Sequence, residues 1–333
     1  MTPSGAILVT GGAGFIGSHA CKMLAAEGLE PVTLDNLSTG HRDAVRWGPF
    51  HQGDVGDRDL VARVIRQHHI GTVMHFAASA YVGESVGDPA LYYRNNVGGM
   101  IALLDACRAT GVRRFILSSS CATYGTPDAL PISEDTPQNP INPYGRTKLM
   151  CEQMLADFDA AYGLPHVILR YFNACGADPA GELTERHDPE THLIPLMLLA
   201  AAGKRAQLDI FGSDYDTPDG TCIRDYIHVQ DLARGHLLAL RYLEGGGDNV
   251  AVNLGSGTGY SIRDLVSAVE RLGGCRVPTR MKPRRPGDPP ALFTDTRRAR
   301  AVLGFATERS ELDTIIRDAA PGFGLDMTHD RVA

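Results

Sequence analysis

The stretch AILVTGGAGFIGSHACKMLAA, residues 6–26, decides the fold. Ala6–Thr10 is a short apolar run that reads as a buried strand, and Phe15–Ala26 has the spacing of a helix. Between them, Gly12-Ala13-Gly14-Phe15-Ile16-Gly17 spaces three glycines as G-x-G-x-x-G. In a strand–turn–helix unit the first glycine permits a tight turn, the second lets the backbone approach a pyrophosphate, and the third lets helix and strand pack closely. The phosphates then lie on the free N–H groups of the helix N-terminus.

Working outward, the alternation continues. Pro31–Asp35 reads as a second strand and Phe50–Asp54 as a third. Asp57–His69 has helical spacing, with Leu60, Val64 and His68 on one face. Thr72–Phe76, Phe115–Ser119 and His166–Tyr171 read as strands, and Pro89–Thr110 and Asn142–Tyr162 as helices. Short apolar strands alternating with helices predict an α/β fold, a doubly wound parallel sheet of the Rossmann type. After about residue 175 the rhythm changes. ADPAGELTERHDPE and GSDYDTPDGT are dense in Pro, Asp and Gly, which predicts long surface loops. Helices return at Leu193–Ala202, Val229–Leu243 and Ser261–Leu272, the last N-capped by Ser261 and striped by Ile262, Leu265, Val266, Val269 and Leu272. The expected division is a dinucleotide-binding domain over 1–175, a smaller mixed α/β C-terminal substrate domain over 176–325, and a patternless tail over 326–333. The segment 228–243 is free to pack back on the first domain.

Asp35 ends the second strand, 18 residues after Gly17. A carboxylate there bonds the adenosine ribose and repels a 2′-phosphate, which selects NAD over NADP; a turn-forming aspartate is the plainer reading. Asp54 is a second, weaker candidate, for the adenine edge. Tyr144-Gly-Arg-Thr-Lys148 places tyrosine and lysine on one helix face at i and i+4. With 11 tyrosines and 4 lysines in the chain, chance yields far less than one such pair. A free phenol has a pKa of about 10, and bringing it near 7 costs roughly 4 kcal/mol. A lysine cation and a nicotinamide ring both favour the phenolate, which can then take a hydroxyl proton as hydride leaves the same carbon. Ser118-Ser119-Ser120 ends the preceding strand, where a hydroxyl either faces the cofactor crevice or simply forms a turn.

Composition narrows the rest. The chain has 333 residues, 43% hydrophobic and 21% charged, as in an ordinary globular protein. Its net charge is −7 with no basic run longer than two, which argues against nucleic-acid binding. No run of 18 apolar residues predicts a membrane span, and the N-terminus lacks the basic start of a signal peptide, so a cytoplasmic protein is expected. Seven cysteines without a C-x-x-C pair read as reduced thiols rather than a disulfide frame or a zinc site, and no metal is expected.

Taken together, TGGAGFIGSH, DNLSTG, HFAASAYVGES, YYRNNVGG, SSSCATYG, NPYGRTK, LRYFNACGADP, THLIPL, IFGSDY, TCIRDYIHV and RRPGD resemble the extended short-chain dehydrogenase/reductases, and within them the UDP-glucose 4-epimerases, in order from about residue 6 to 305. The resemblance implies an isomerase with an NAD-binding Rossmann domain and a smaller domain over UDP-galactose or UDP-glucose. It implies that hydride passes from sugar C4 to tightly bound NAD, that the 4-keto sugar turns over, and that hydride returns to the other face. Tyr144 would be the base, Lys148 its tuner and a ribose ligand, and Ser120 the hydrogen-bond partner of O4. NAD contacts would come from Gly11, Gly14, Phe15, Ile16, Gly17, Asp35, Asn36, Leu37, Ser38, Thr39, Gly40, Asp54, Val55, Phe76, Ala77, Ala78, Ser79, Ala80, Asn95, Ser118, Tyr171 and Phe172. UDP-sugar contacts would come from Asn173, His192, Leu193, Asp209, Ile210, Phe211, Arg224, Tyr226, Arg285, Asp288 and Leu292. Arginine forks suit a diphosphate, although Arg224 or Arg285 alone reads as a solvated surface residue.

Two positions depart from the family pattern. Some members carry lysine where this chain has Ala80. Leu292 falls where an aromatic residue restricts the sugar and a small one admits N-acetyl groups. Epimerases of UDP-pentoses or UDP-N-acetylhexosamines are therefore alternatives. A 4,6-dehydratase would need carboxylates where Cys121 and Ala122 stand, and a non-catalytic NAD-binding regulator would typically have lost Tyr144 or Lys148. The resemblance also implies a homodimer through the Pro89–Thr110 and Asn142–Tyr162 helices, whose apolar faces could equally belong to the core.

Overall fold

A computed structural model describes residues 5–285 and 288–327. In chain order the first half gives β1 (Ile7–Thr10), α1 (Phe15–Ala26), β2 (Pro31–Asp35), β3 (Phe50–Gln52), α2 (Arg58–Gln67), β4 (Thr72–His75), α3 (Val82–Gly87), α4 (Pro89–Tyr92), α5 (Gly99–Thr110), β5 (Arg114–Ser120), α6 (Pro143–Tyr162) and β6 (His166–Tyr171). The second half gives β7 (Asn173–Cys175), α7 (Leu193–Ala201), β8 (Leu208–Phe211), β9 (Ile223–His228), α8 (Val229–Glu244), β10 (Val250–Leu254), β11 (Gly259–Ser261), α9 (Ile262–Gly273), β12 (Thr279–Lys282), β13 (Ala291–Leu292), α10 (Arg297–Leu303) and α11 (Leu312–Ala319).

The strands β1, β2 and β4 are buried from end to end because helices cover both faces of one parallel sheet. Its order is β10-β6-β5-β4-β1-β2-β3. One face packs Leu8, Leu34, Val73 and Phe115 against Val61, Leu103, Leu104 and Leu155 from α2, α5 and α6. The other packs Ile7, Val9, Met74 and Ile116 against Leu24, Leu237, Leu240 and Leu303 from α1, α8 and α10. The chain runs outward from β1 in one direction and from β4 in the other, so a crevice opens at their C-terminal ends, where ligands bind in such sheets.

Later segments complete this half. β10 pairs with β6, matching Val250 to Val167 through Leu254 to Tyr171, and α8 lies along α1. The strand VAVNL is not read from the sequence, being a five-residue run between Asn249 and Gly255. The remaining elements form a second lobe: β11-β9-β13 with β7 on β9, β12 beside β8, and a core of Ile194, Leu198, Leu265, Val269, Ile315 and Ile316. The Ser261 cap of α9 is a full capping box with Asp264.

Three expectations change. The buried face of α2 is Val61, Ala62, Val64 and Ile65, with Leu60 and His68 at its margins, because the helix meets α5 about one residue round from the expected stripe. Pro89–Thr110 is not one α-helix; Tyr93–Gly98 widens to π geometry, a local form that often marks functional sites. β3 stops at Gln52; Gly53 N–H still donates to the Asp35 carbonyl, the last bond of the ladder with β2. The tail residues 328–333 lie outside the described residues.

Candidate active site

The glycine loop is built from close approaches. Gly11, rather than Gly12, takes the left-handed turn, with φ at 72°. A Cβ there would lie 2.6 Å from the Ala77 nitrogen. A Cβ on Gly17 would lie 2.2 Å from the Gly11 carbonyl oxygen, so this third glycine seats α1 on the turn. Gly14 is the N-cap of α1 and supplies no capping side chain; a Cβ on it would meet only the Gly11 oxygen, at 3.3 Å. The result is an uncapped helix N-terminus with open space before it, which fits a dinucleotide pyrophosphate. A cavity of about 180 Å³ borders this loop, between Ala13–Phe15 and Leu183–Arg186.

Asp35 ties this loop to the next. Its carboxylate accepts from Ala13 N–H at 3.0 Å and Leu37 N–H at 2.8 Å. Burial raises its pKa and the two N–H bonds partly offset that. The remaining lone pairs suit a ribose diol. Leu37 has φ at 60°, and Gly40 sits so close that a Cβ would lie 3.0 Å from the Asp35 oxygen. Asn36 donates to Asp54 at 2.9 Å, which also accepts from Gly56 N–H, so 36–40 and 54–56 form one rim around the β2 end, with Ser38 and Thr39 on its outer side. Val55 is buried beneath it.

On the β4 side, Phe76–Ala80 follows the strand. Ser79 is fixed by Asn96, whose amide accepts from Ser79 N–H at 2.8 Å and donates to Ser79 O and Thr147 Oγ1, each at 3.0 Å. Asn95 donates to Ser79 Oγ at 3.1 Å. The widened turn presents both asparagines to this segment. Phe76 packs on His236 with ring centroids 4.5 Å apart. His236 donates from Nδ1 to the Leu232 carbonyl and accepts at Nε2 from Ser118 Oγ, at 2.8 and 2.9 Å.

The three serines at the end of β5 diverge. Ser118 gives its carbonyl to Lys148 Nζ at 2.8 Å and its hydroxyl to His236. Ser119 turns away and donates to Glu152 at 2.5 Å. Ser120 accepts from Ala122 N–H at 3.1 Å and lies beside the Tyr144 hydroxyl. α6 brings Tyr144 and Lys148 onto one buried face; it begins at Asn142, whose side chain caps Gly145 N–H. Lys148 Nζ is 6.0 Å from the Tyr144 ring centroid. Burial holds the Tyr144 phenol well above the ordinary tyrosine range, Tyr171 adds to this, and the Ser120 hydroxyl offsets it in part. Burial also pulls the Lys148 ammonium below its usual value. In the chain alone desolvation dominates the phenol and the Lys148 cation is turned to the Ser118 carbonyl; the expected pull is that of lysine and the nicotinamide ring together. Tyr171 is pushed up to about 12 by burial.

The residues expected on the sugar-nucleotide side line the second lobe. Asn173 is fixed by the Asp225 carbonyl at 2.7 Å. Tyr226 is buried beside it in β9. Arg224 donates to Asp288 at 2.6 Å and to the Ile223 carbonyl at 2.8 Å, leaving other N–H groups free. Asp209 is paired with Arg280, Ile210 is buried, and Phe211 lies 3.9 Å below the Arg285 guanidinium. Leu292 pairs in register with Arg224 and packs against Tyr124, Ile132 and Phe172. His192 is the N-cap of α7, ahead of Leu193, and its Nδ1 lies among carboxylates, 3.0 Å from Glu190 and 3.1 Å from Glu185.

Sequence reasoning missed the supports: Asn96, His236, and the buried network of Glu152, Arg170 and Tyr124. Arg170 donates to Glu152 at 2.6 Å and to Tyr124 Oη at 2.9 Å, and Tyr124 donates to Asn253 at 2.7 Å. An arginine inside a strand and a glutamate one turn past Lys148 were signals for that pair. The seven cysteines are free, as read.

A glycine cradle at a sheet switch point, a buried aspartate ending β2 and a buried Tyr–Lys–Ser set define a dinucleotide-dependent enzyme acting on a hydroxyl-bearing carbon. The chain belongs to the NAD dependent epimerase/dehydratase family, whose family model matches residues 7–255. It is 61% identical to the UDP-glucose 4-epimerase of Brucella ovis solved in complex with NAD, with a TM-score of 0.95 over 97% of this chain and 99% of that one. It is 51% identical over 313 residues to a UDP-glucose 4-epimerase of Rhizobium leguminosarum bv. trifolii, covering 94% of this chain and 95% of the relative. A third, the UDP-glucose-4-epimerase of Stenotrophomonas maltophila with bound NAD and formylated UDP-arabinopyranose, is 40% identical, with a TM-score of 0.93 over 96% and 98% of the two chains.

Proposed function

We propose that this chain interconverts UDP-galactose and UDP-glucose by inverting carbon 4, as a cytoplasmic homodimer with resident NAD. The observation that carries the reading is the meeting of the Tyr144 and Ser120 hydroxyls at the end of β5, beside buried Lys148 and across the crevice from the glycine cradle. The relatives at 51% and 61% identity over nearly the whole chain support the substrate.

Ser120 orients the C4 hydroxyl, and Tyr144 as phenolate accepts its proton. The glycine cradle, Asp35 and Lys148 would hold NAD, which would supply a hydride acceptor and donor for C4 and a positive ring that favours the phenolate. The ketone turns over between the lobes, and Tyr144 hands the proton back. Lys148 holds the ribose and keeps Ser118 in place. Arg224 and Arg285 grip the diphosphate, with Asn173, His192, Leu193 and the 209–211 strand around the nucleotide. Residues 1–175, with the returning 228–243 helix, serve as the cofactor domain, and the rest of 176–325 as the substrate domain. No carboxylate follows Ser120, where Cys121 and Ala122 stand, which speaks against dehydration.

Exposed Ile101 on α5 and Met150 on α6 support pairing of these helices between two copies. No described helix is long and apolar enough to cross a membrane.

UDP-galactose deuterated at C4 tests the mechanism. The expected product is UDP-glucose with the deuterium retained at C4 and none gained from solvent. Loss of label to water overturns the hydride-return reading.

A further inference from the structure

Among the described residues one group of metal-ligating side chains is not explained by the chemistry above, although one member, His192, also lies on the nucleotide side. Glu185, His187, Glu190 and His192 come from eight consecutive residues, and their ligand atoms all lie within 4.8 Å of one another. Four of the separations are 3.0 Å (Glu190 Oε1 to His192 Nδ1), 3.1 Å (Glu185 Oε1 to His192 Nδ1), 3.4 Å (Glu185 Oε1 to His187 Nδ1) and 3.5 Å (Glu190 Oε2 to His187 Nδ1). A tetrahedral shell with metal–ligand bonds of about 2.0–2.1 Å has edges of about 3.3 Å; these separations, which reach one histidine from Oε1 of Glu190 and the other from Oε2, bracket that length. The 3.0 Å separation, His192 Nδ1 to Glu190 Oε1, is also a hydrogen bond; the other three exceed the about 2.7–2.9 Å of charge-assisted N–H···O bonds.

A second observation points the same way. His187 Nδ1 is shut off from solvent and makes no hydrogen bond, although two carboxylates face it. Glu185 is itself buried, its side chain 5% exposed. Two carboxylates this close repel unless a cation lies between them. Glu190 is also oriented from behind: its Oε1 accepts from the N–H groups of Thr191 and His192, each at 2.8 Å, as outer-shell partners orient ligands.

We propose that Glu185, His187, Glu190 and His192 hold one divalent transition-metal ion, with zinc the best match to two imidazoles and two carboxylates. Two neutral imidazoles, two carboxylates and the dication sum to zero charge, which suits a half-buried site. The His187 ring stands edge-on to Phe15 in the first turn of α1, at 6.5 Å, and both histidines contact Tyr81, at 6.1 and 5.9 Å. The ion therefore fastens the 185–192 loop of the second lobe against the glycine loop and the start of α3. Ligation through Nδ1 leaves His192 Nε2 as a free donor. This site was invisible to a search by cysteine spacing, yet E-x-H-x-x-E-x-H is written in the chain.

The test is a cobalt titration of the full-length, NAD-loaded protein after treatment with a chelator. The expected result is one Co²⁺ per chain with the visible d–d bands of a four-coordinate ion, bleached by one equivalent of Zn²⁺. Glu185→Gln and His187→Asn should each weaken binding at least tenfold, and Zn²⁺ should raise the Tm of the parent chain but not of either variant. No tetrahedral bands in the parent chain, or bands that persist in both variants, overturns the proposal; the cluster is then two imidazoliums held by two carboxylates. None of these readouts involves turnover, so their failure and that of the proposed activity are separable.

Discussion

Removing one partner of the Glu152–Arg170 pair should harm the protein far more than removing both. The pair is nearly enclosed, with side chains 5% and 8% exposed, and Glu152 also accepts from Ser119 Oγ and Gln138. Glu152→Leu strands a buried guanidinium, and Arg170→Met strands a buried carboxylate; each should cost about 3–5 kcal/mol. The double variant leaves no unpaired charge, and Tyr124 keeps its bond to Asn253. Its residual cost is about 1–2 kcal/mol, mainly from the orphaned Ser119 hydroxyl. The coupling energy should therefore reach at least about 3 kcal/mol. Urea unfolding of the four proteins at saturating NAD, followed by the fluorescence of the single tryptophan, Trp47, measures it. Glu152 lies one turn from Lys148 and Ser119 adjoins Ser120, so each single variant should also lose on the order of tenfold in kcat with little change in KM. Additive single costs, or a coupling below about 1 kcal/mol, would refute the claim that this pair is a mutually compensated buried unit.

Other outcomes follow from the same geometry. Tyr144→Phe should lower kcat by about 10²–10⁴-fold while NAD stays bound, as expected for loss of a positioned acid–base group, in a steady-state assay. Gly17→Ala should yield protein largely without cofactor, seen in the absorbance of the purified chain, because its Cβ would be driven into the Gly11 carbonyl at 2.2 Å. Burial lowers the pKa of His19 and His236 to about 4 and of His75 to about 3. The unfolded chain then binds more protons, so stability present above pH 6.5 is lost as pH falls. From pH 7 to 5 each buried histidine should cost about 2 kcal/mol, and His236→Gln should flatten the urea-midpoint slope accordingly.

Legibility followed the range of the interactions. α1 and β2 start and end where local periodicity places them, and Tyr144 and Lys148 share a face because i and i+4 always do. The Ser261 cap was readable for the same reason. β10 was not, because a five-residue run with four apolar residues acquires meaning only from its pairing with β6, about 80 residues earlier in the chain. The Gly11 turn lay one residue before the three-glycine spacing, since it is set by the approach of Ala77 from β4's far side. Ser119 reads like its neighbours in sequence, but strand alternation turns it to Glu152 and away from the crevice. How deeply Tyr144 is desolvated was not legible, because that depends on everything packed around it, and a tyrosine–lysine spacing carries no information about it.

The most direct test of the central claim is a proton NMR time course of the as-purified protein with UDP-galactose and no added NAD. Growth of UDP-glucose signals toward equilibrium is the predicted result. Formation of a 4-keto-6-deoxy sugar, or no conversion even after NAD is supplied, would contradict it.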